Sequence, residues 1–128
     1  MAMTETRLDL REPNDARMAE AKRTAQVLFR LNNEMPFTNE YDALLKELFT
    51  GGLGKDCYIA GPLYMNLAAN VHVGNGVSLN PYFRCMSAGD VYIEDGAQIA
   101  MNVSVVTNNH DFYDRAVLTV KDVRICRN

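Results

Sequence analysis

The chain has 128 residues, a formal net charge of −3 and an apolar fraction of 48%. A chain of this length forms one domain that buries about two thirds of its unfolded surface, and scattered basic residues leave no electrostatic footprint for nucleic acid. The 3 cysteines are widely spaced without a CxxC pair, which argues against a disulfide framework and a zinc knuckle. No apolar run suits an export signal or a membrane span, so we expect a cytoplasmic protein.

Two amphipathic helices are predicted within residues 1–54. Asn14 and Asp15 form a helix cap, and apolar residues follow at helical spacing to about residue 31. A second helix is expected to open at Thr38 or Asn39 and to end at the glycine pair 51–52. The simpler interpretation is that these helices cover the open end of the following structure, and an alternative adds a contact with substrate.

From residue 55 onward the apolar pattern has a period of six, which no helix shows. Each hexad offers a short strand with two inward side chains, and three hexads close one triangular coil. The sequence therefore predicts a mainly β protein, a parallel β-helix over residues 55–128 that the two helices precede. The predicted inward residues are Val71, Val73, Val77, Leu79, Phe83, Cys85, Val91, Ile93, Ala97, Ile99, Val103 and Val105.

A loop interrupts the predicted coils at residues 110–122. The hexad pattern resumes after this loop and stops at Asn128, in what looks like the opening of another coil. We therefore expect a solenoid that is incomplete at its C-terminal end. Open strand edges pair readily with other chains, so association into larger assemblies or low solubility is expected.

His110 is the candidate for chemistry, because it lies where the chain leaves a regular coil and enters the loop. A neutral imidazole can take a proton from an attacking hydroxyl, which accelerates such a reaction by about 10²–10⁴-fold. Asp111 and Asp114 are placed to orient the ring. The alternative is a loop histidine bonded to a backbone carbonyl.

Other candidate sites are weak. His72 alternates with two inward valines, so it points outward and is interpreted as structural or exposed. With 2 histidines in the chain, a three-imidazole zinc site cannot form within one chain, so no metal is expected.

Asn80 and Asn66 occupy predicted corners, where amides form internal ladders or face a cleft. No phosphate-binding glycine loop is present.

Several segments together resemble the maltose and galactoside O-acetyltransferase family. The resemblance covers about residues 5 to 128 and includes the N-terminal helical segment. It rests on Phe29-Arg30-Leu31-Asn32, Leu44-Leu45-Lys46-Glu47-Leu48-Phe49, Pro62-Leu63-Tyr64, Asn70-Val71-His72-Val73-Gly74, Asn80 and Val106-Thr107-Asn108-Asn109-His110.

The resemblance implies a left-handed β-helix trimer, with each site between two subunits, that transfers acetyl from acetyl-CoA to a sugar hydroxyl. His110 matches the catalytic base of the family, and backbone amides would stabilise the tetrahedral oxyanion. Asn80 matches a sugar-contacting asparagine, and Asn66 takes a position that lines the acceptor pocket. Glu12 is at best the counterpart of the acidic substrate contact, and Ala100 matches one wall of the donor channel.

Three departures from the family leave other functions open. No arginine cleanly matches the one near the acidic contact, residues 86–89 replace a segment that is usually acidic, and the coils that hold most coenzyme A contacts have no counterpart before Asn128. The main alternative is therefore a non-catalytic, truncated β-helix that folds or assembles without a donor site. A third possibility is a small-ligand binding module that uses Asn80 and His110 without turnover.

Overall fold

The computed structural model describes residues 5–127, which form two helices and mainly short strands in parallel sheets. Neither helix of this range is long and apolar enough to cross a membrane. The elements are β1 (Glu5–Asp9), α1 (Asp15–Asn32), α2 (Asn39–Leu48), β2 (Tyr58–Ile59), β3 (Leu63–Met65), a 3₁₀ turn (Ala68–Asn70), β4 (Val71–Val73), β5 (Ser78–Leu79), β6 (Phe83–Met86), β7 (Val91–Ile93), β8 (Gln98–Ile99), β9 (Ser104–Val106), β10 (Asn108–His110), β11 (Val117–Lys121) and β12 (Val123–Ile125).

Consecutive strands visit three parallel sheets in turn, so the chain winds as a three-sided coil. The sheets have the orders β2-β5-β8, β3-β6-β9 and β12-β7-β4. Val71 pairs with Val91, 20 positions later, and Leu63 pairs with Phe83 at the same separation. One turn of the coil therefore takes 20 residues rather than the 18 that three plain hexads give.

In the first two coils the two additional residues lie at one corner, between the second and third strands, and in the third coil the same corner is expanded into a hairpin. We call this corner the wide corner; it comprises residues 66–70, 87–90 and 107–122 of the successive coils. Ser87 is buried there, where its hydroxyl donates to the Leu67 carbonyl at 2.7 Å and its N–H donates to Asn66 Oδ1 at 2.8 Å. The two additional residues at this corner are thus accommodated by hydrogen bonds between polar groups of neighbouring coils.

The predicted inward side chains form the core of the coil. Of the twelve, all but Val103 are buried, and Val103 packs partly buried against the same cluster. Alternation along each strand explains the result, because two side chains per strand face inward and the intervening one faces outward. The predicted assignment of these side chains to the inward face of the coil is therefore confirmed.

The two helices pack on the first coil, as the simpler interpretation predicted. Asn14 caps α1 by accepting from the Arg17 N–H at 2.9 Å, and Thr38 caps α2 by accepting from the Tyr41 N–H at 3.2 Å. Apolar residues of both helices join the strands in one continuous core. Segment 1–54 thus shares its core with the coil; residues 1–4 lie outside the described residues.

Two features differ from the sequence prediction. A strand, β1, precedes the helices, and the predicted loop 110–122 contains strand β11. These two strands and β10 form an antiparallel sheet in the order β1-β11-β10. The prediction was wrong here because β11 pairs antiparallel with the neighbouring β10 and with the distant β1, outside the parallel coil, so its sequence carries no hexad pattern.

Candidate functional site

His110 is the last residue of β10, an edge strand that pairs with β11 alone among the described residues. Its ring is exposed, and Nδ1 lies 2.8 Å from the backbone carbonyl oxygen of Arg115. A carbonyl oxygen can only accept, so Nδ1 carries the hydrogen and Nε2 of the neutral ring presents a lone pair. The ring is therefore held in the tautomer that suits a proton acceptor.

The hairpin that carries His110 is anchored where it leaves the coil. The Thr107 hydroxyl donates to the Met86 carbonyl at 2.8 Å and accepts from the Gly89 N–H at 3.0 Å. Across the base, the Lys121 N–H donates to the Thr107 carbonyl at 2.8 Å, and β12 then rejoins the coil. The bonds of Thr107 to Met86, Gly89 and Lys121 thus hold both the backbone of the wide corner and the base of the hairpin that carries His110.

Asp111 and Asp114 shape the hairpin tip instead of contacting the His110 ring. Asp111 accepts from the N–H groups of Tyr113 and Asp114, both at 3.1 Å, and Asp114 accepts from the Ala116 N–H at 3.1 Å. The Arg7 guanidinium, 2.9 Å from Asp111, holds the pKa of that carboxyl below its usual range. The sequence predicted that these aspartates orient the His110 ring. In the structure the Arg115 carbonyl bonds to the ring instead.

A cavity of about 240 Å³ lies between α1, the hairpin and the wide corner. Asn66, one of the predicted acceptor contacts, lines it together with Asn108, which lies two residues before His110 on the same face of β10. Asn108 Oδ1 is buried and has no hydrogen-bond partner within residues 5–127. The full lining is Leu10, Arg17, Met18, Ala21, Asn66, Leu67, Met86, Ala88, Asn108 and Leu118.

The predicted contacts Asn80 and Ala100 lie at a different corner from His110. Asn80 follows β5 and Ala100 follows β8, and these strands are neighbours in one sheet. Asn80 Nδ2 donates to the Ile99 carbonyl at 2.8 Å, which is a side-chain bond to the backbone of the next coil and not an asparagine ladder, because Ala100 follows Ile99 at the equivalent position. Sheet β3-β6-β9 separates this corner from the wide corner within one chain.

Glu12 is exposed in the turn between β1 and α1, where its N–H donates to the Asp9 carbonyl at 3.1 Å. This turn adjoins the hairpin tip, because the N–H of the nearby Leu10 donates to the Ala116 carbonyl at 2.6 Å. The structure thus places Glu12, Asn66 and His110 on one side of the molecule and leaves Asn80 and Ala100 on another.

His72 has a structural environment, as predicted. Its Nδ1 lies 2.8 Å from the Gly51 carbonyl oxygen, and its Nε2 lies 2.8 Å from Asp90 Oδ1. The ring stacks on Tyr92 at a centroid distance of 4.6 Å. Across residues 5–127, no group of three or more His, Cys, Asp or Glu side chains is arranged to hold a metal ion.

Sequence reasoning missed two components of this region. Asn108 was recognisable, because alternation along an extended segment places it beside His110. Arg7 was not, because the sequence contains no local signal that residues 5–9 pair with residues 117–121.

The fold is the one found in hexapeptide-repeat acetyltransferases, which confirms the resemblance at the level of the fold. A hexapeptide-repeat-containing acetyltransferase from Vibrio cholerae superposes with a TM-score of 0.80 at 19% identity, covering 91% of this chain and 68% of that protein. A galactoside acetyltransferase in complex with coenzyme A gives 0.76 at 19% identity, covering 88% of this chain and 57% of that protein.

A maltose O-acetyltransferase from Clostridium difficile 630 superposes with a TM-score of 0.76 at 21% identity, covering 85% of this chain and 60% of that protein. This chain thus spans between 57% and 68% of the length of these three proteins. No family model matches the sequence, and no curated protein is significantly similar to it.

Proposed function

We propose that the protein is an O-acetyltransferase that moves acetyl from acetyl-CoA to a hydroxyl of a sugar, with His110 as general base. The observation that carries the proposal is the fold shared with acetyltransferases. The bond from His110 Nδ1 to the Arg115 carbonyl is the one expected of a loop histidine, and it is also compatible with a general base. That bond leaves Nε2 as the proton acceptor, which is the state a general base needs. The proposal includes a left-handed winding of the coil and a cytoplasmic location.

In the proposed reaction, His110 Nε2 takes the hydroxyl proton while the hydroxyl oxygen bonds to the thioester carbonyl carbon. The carbon–sulfur bond then breaks, and the proton passes from the imidazolium to the departing thiolate of coenzyme A. The Vibrio cholerae acetyltransferase has also been solved in complex with acetyl-CoA, and the galactoside acetyltransferase contains coenzyme A, which supports such a donor for this chain. No metal is required by this scheme.

The cavity beside the hairpin supports an acceptor that carries hydroxyl groups. Asn108 Oδ1 is a buried acceptor with no protein donor among the described residues, and leaving such a group unpaired costs about 1–3 kcal/mol. A sugar hydroxyl that entered from the His110 side would supply the donor. Asn66 and Glu12 would contribute further polar contacts at the edge of this cavity.

The separation of Asn80 and Ala100 from His110 supports a homotrimer whose sites lie between subunits. The sheet between the two corners presents exposed apolar side chains, namely Tyr64 (48% exposed), Met86 (46%) and Val106 (56%). Outward apolar residues on a sheet face favour association with another copy. In such a trimer, Asn80 and Ala100 of one subunit would complete the site around His110 of the next.

A specific observation favours a second candidate, a non-catalytic β-helix. Asn80 is engaged in a bond within the coil, so its amide already has a structural role. Calorimetry with acetyl-CoA on the purified chain separates the two functions. Micromolar binding supports the transferase, and absence of binding supports the non-catalytic alternative.

The role of His110 is tested by acetyl transfer to maltose and to a galactoside, measured as release of the coenzyme A thiol. We expect His110→Ala to lower kcat by about a hundredfold or more, because general-base catalysis is removed. Asn109→Ala is the matched control, since this neighbouring exposed residue points to the opposite face of the strand. Equal rates for the wild type and His110→Ala contradict the assignment.

A further inference from the structure

His110 is held in place through a chain of contacts that begins in the N-terminal strand. β10 has three residues paired with β11, and β11 has five residues paired with β1. Among the described residues, β11 is the only strand that pairs with β10, the strand of His110. The other edge of β11 pairs with β1. A short edge strand supported on one side is sensitive to whatever fixes its neighbour.

Two arginines of the N-terminal segment also contact the hairpin tip directly. Arg7 Nη1 lies 2.9 Å from Oδ1 of Asp111, the residue that follows His110, and Arg11 Nη2 lies 2.9 Å from Asp114 Oδ2. These two aspartates accept the backbone N–H groups that fold the tip. Arg115, whose carbonyl accepts from His110 Nδ1, belongs to the same tip.

We propose that Arg7 is a positioning residue, whose ion pair with Asp111 fixes the hairpin tip so that the Arg115 carbonyl keeps the hydrogen of His110 on Nδ1. The consequence for catalysis rests on the proposed role of His110 as base, but the tautomer itself does not. Without the ion pair, the tip samples other conformations, and the neutral ring takes both tautomers. A ring with its hydrogen on Nε2 cannot accept a proton there.

The same sheet offers a matched control. Lys121 Nζ and Glu5 Oε2 form another ion pair between β11 and β1, at 3.6 Å, but it lies at the end of the sheet away from the tip. Both pairs join the same two regions of chain and involve exposed basic side chains. Lys121→Gln therefore removes a longer and more exposed ion pair between β1 and the hairpin without touching the tip.

The decisive measurement is ¹⁵N NMR of the two histidine rings at a pH where neutral imidazole predominates. In the wild type we expect His110 with its hydrogen on Nδ1, and His72 serves as an internal reference because it contacts neither the hairpin tip nor Arg7. Arg7→Gln should move His110 towards a mixture of tautomers, whereas Arg7→Lys and Lys121→Gln should retain most of the wild-type pattern. An unchanged His110 spectrum in Arg7→Gln, or an equal change in Lys121→Gln, overturns the inference.

Kinetics add a second readout that separates this inference from the proposed function. We expect Arg7→Gln to lower kcat by about two- to fivefold with little change in KM, since exposed ion pairs bias conformations only weakly. A changed tautomer in Arg7→Gln combined with transfer that is insensitive to His110→Ala refutes the proposed base and leaves the positioning inference standing. Loss of transfer in His110→Ala with an unchanged tautomer in Arg7→Gln does the reverse.

Discussion

The start of the coil and the hairpin of His110 are both held by residues near the N-terminus, but by contacts of different kinds. At the start of the coil, helical side chains bond directly to the backbone of the first coil. Asn32 exchanges two bonds with Leu63, at 2.9 and 3.0 Å, and Thr24 accepts from the Ala68 N–H at 3.0 Å. The hairpin is joined by the backbone pairing of β1 with β11 and by the bond from the Leu10 N–H to the Ala116 carbonyl, and arginine side chains that are 59% and 62% exposed add ion pairs at its tip.

Because the two kinds of contact differ in burial, we expect the cap to contribute mainly to folding stability and the arginine contacts mainly to function. Buried or partly buried side chains that bond to the backbone of the coil are costly to remove, because the backbone groups are then left without partners. Exposed ion pairs contribute little to folding and are screened by salt. We therefore expect the helical cap to determine whether the chain folds and the arginine contacts to determine how His110 is presented.

The largest effect on stability is expected from Leu48→Ala in α2. Leu48 is fully buried within the core shared by the helices and the coil. Removing its side chain leaves a cavity, which should lower the free energy of unfolding by about 2–5 kcal/mol in chemical denaturation. Met35→Ala, at a position that is 68% exposed, is the control. Similar losses in both variants would refute the claim that the cap shares the core.

A smaller effect is expected from Tyr41→Phe, which removes one hydroxyl of the cap. That hydroxyl donates to the Ile59 carbonyl at 3.1 Å and accepts from the Gly61 N–H at 3.0 Å, and burial raises the pKa of the phenol. Its loss should lower the free energy of unfolding by about 1–3 kcal/mol. Tyr113→Phe, in the hairpin tip, should have no measurable effect, because this side chain is 93% exposed. If Tyr113→Phe lowered the free energy of unfolding more than Tyr41→Phe does, the predicted structural role of the Tyr41 hydroxyl would be contradicted.

The smallest of the three effects is an acid-dependent loss of stability through Glu20. The Arg23 guanidinium lowers the pKa of Glu20 from 4.5 to about 2, and the Ala69 N–H and Thr24 hydroxyl assist. A lowered pKa in the folded state stabilises the protein above pH 4.5, and this contribution is lost as the pH falls towards 2. We expect a contribution of about 1–2 kcal/mol, because screening at the partly exposed pair reduces the full value.

Glu20→Gln is the matched variant for this pH dependence. Its unfolding free energy, measured by denaturation between neutral pH and pH values near 2, should fall less steeply than that of the wild type. Identical slopes in the two proteins would exclude Glu20 as a contributor and would weaken the case for a stabilising polar cap.

Much of the fold was predictable because its signals are local. Helix caps at Asn14 and Thr38 act within a few residues, and the alternation of inward and outward side chains repeats in every short strand. The 20-residue turn was within reach too, because the inward residues shift by two between Cys85 and Ile93. The same shift recurs at the same corner of the first two coils, between Met65 and Val71 and between Cys85 and Val91.

The candidate site was less predictable because its parts meet through distant contacts. The sequence placed His110 at the exit from a coil but assigned its orientation to Asp111 and Asp114, whose partners are backbone amides of the tip and two arginines. It also grouped Asn80 with His110. The two occupy different corners within one chain, so that grouping stays a prediction about neighbouring subunits of the proposed trimer.

The sequence by itself determined a β coil with a helical cap and located His110 at the edge of that coil. Only the tertiary structure decided that β1 pairs with β11, that Arg7 reaches Asp111, and that the Arg115 carbonyl selects the tautomer of His110. The physical reason is that periodicity and capping act between residues close in sequence. Pairing between Glu5 and Lys121 depends instead on how the whole chain folds back on itself, and no local pattern encodes it.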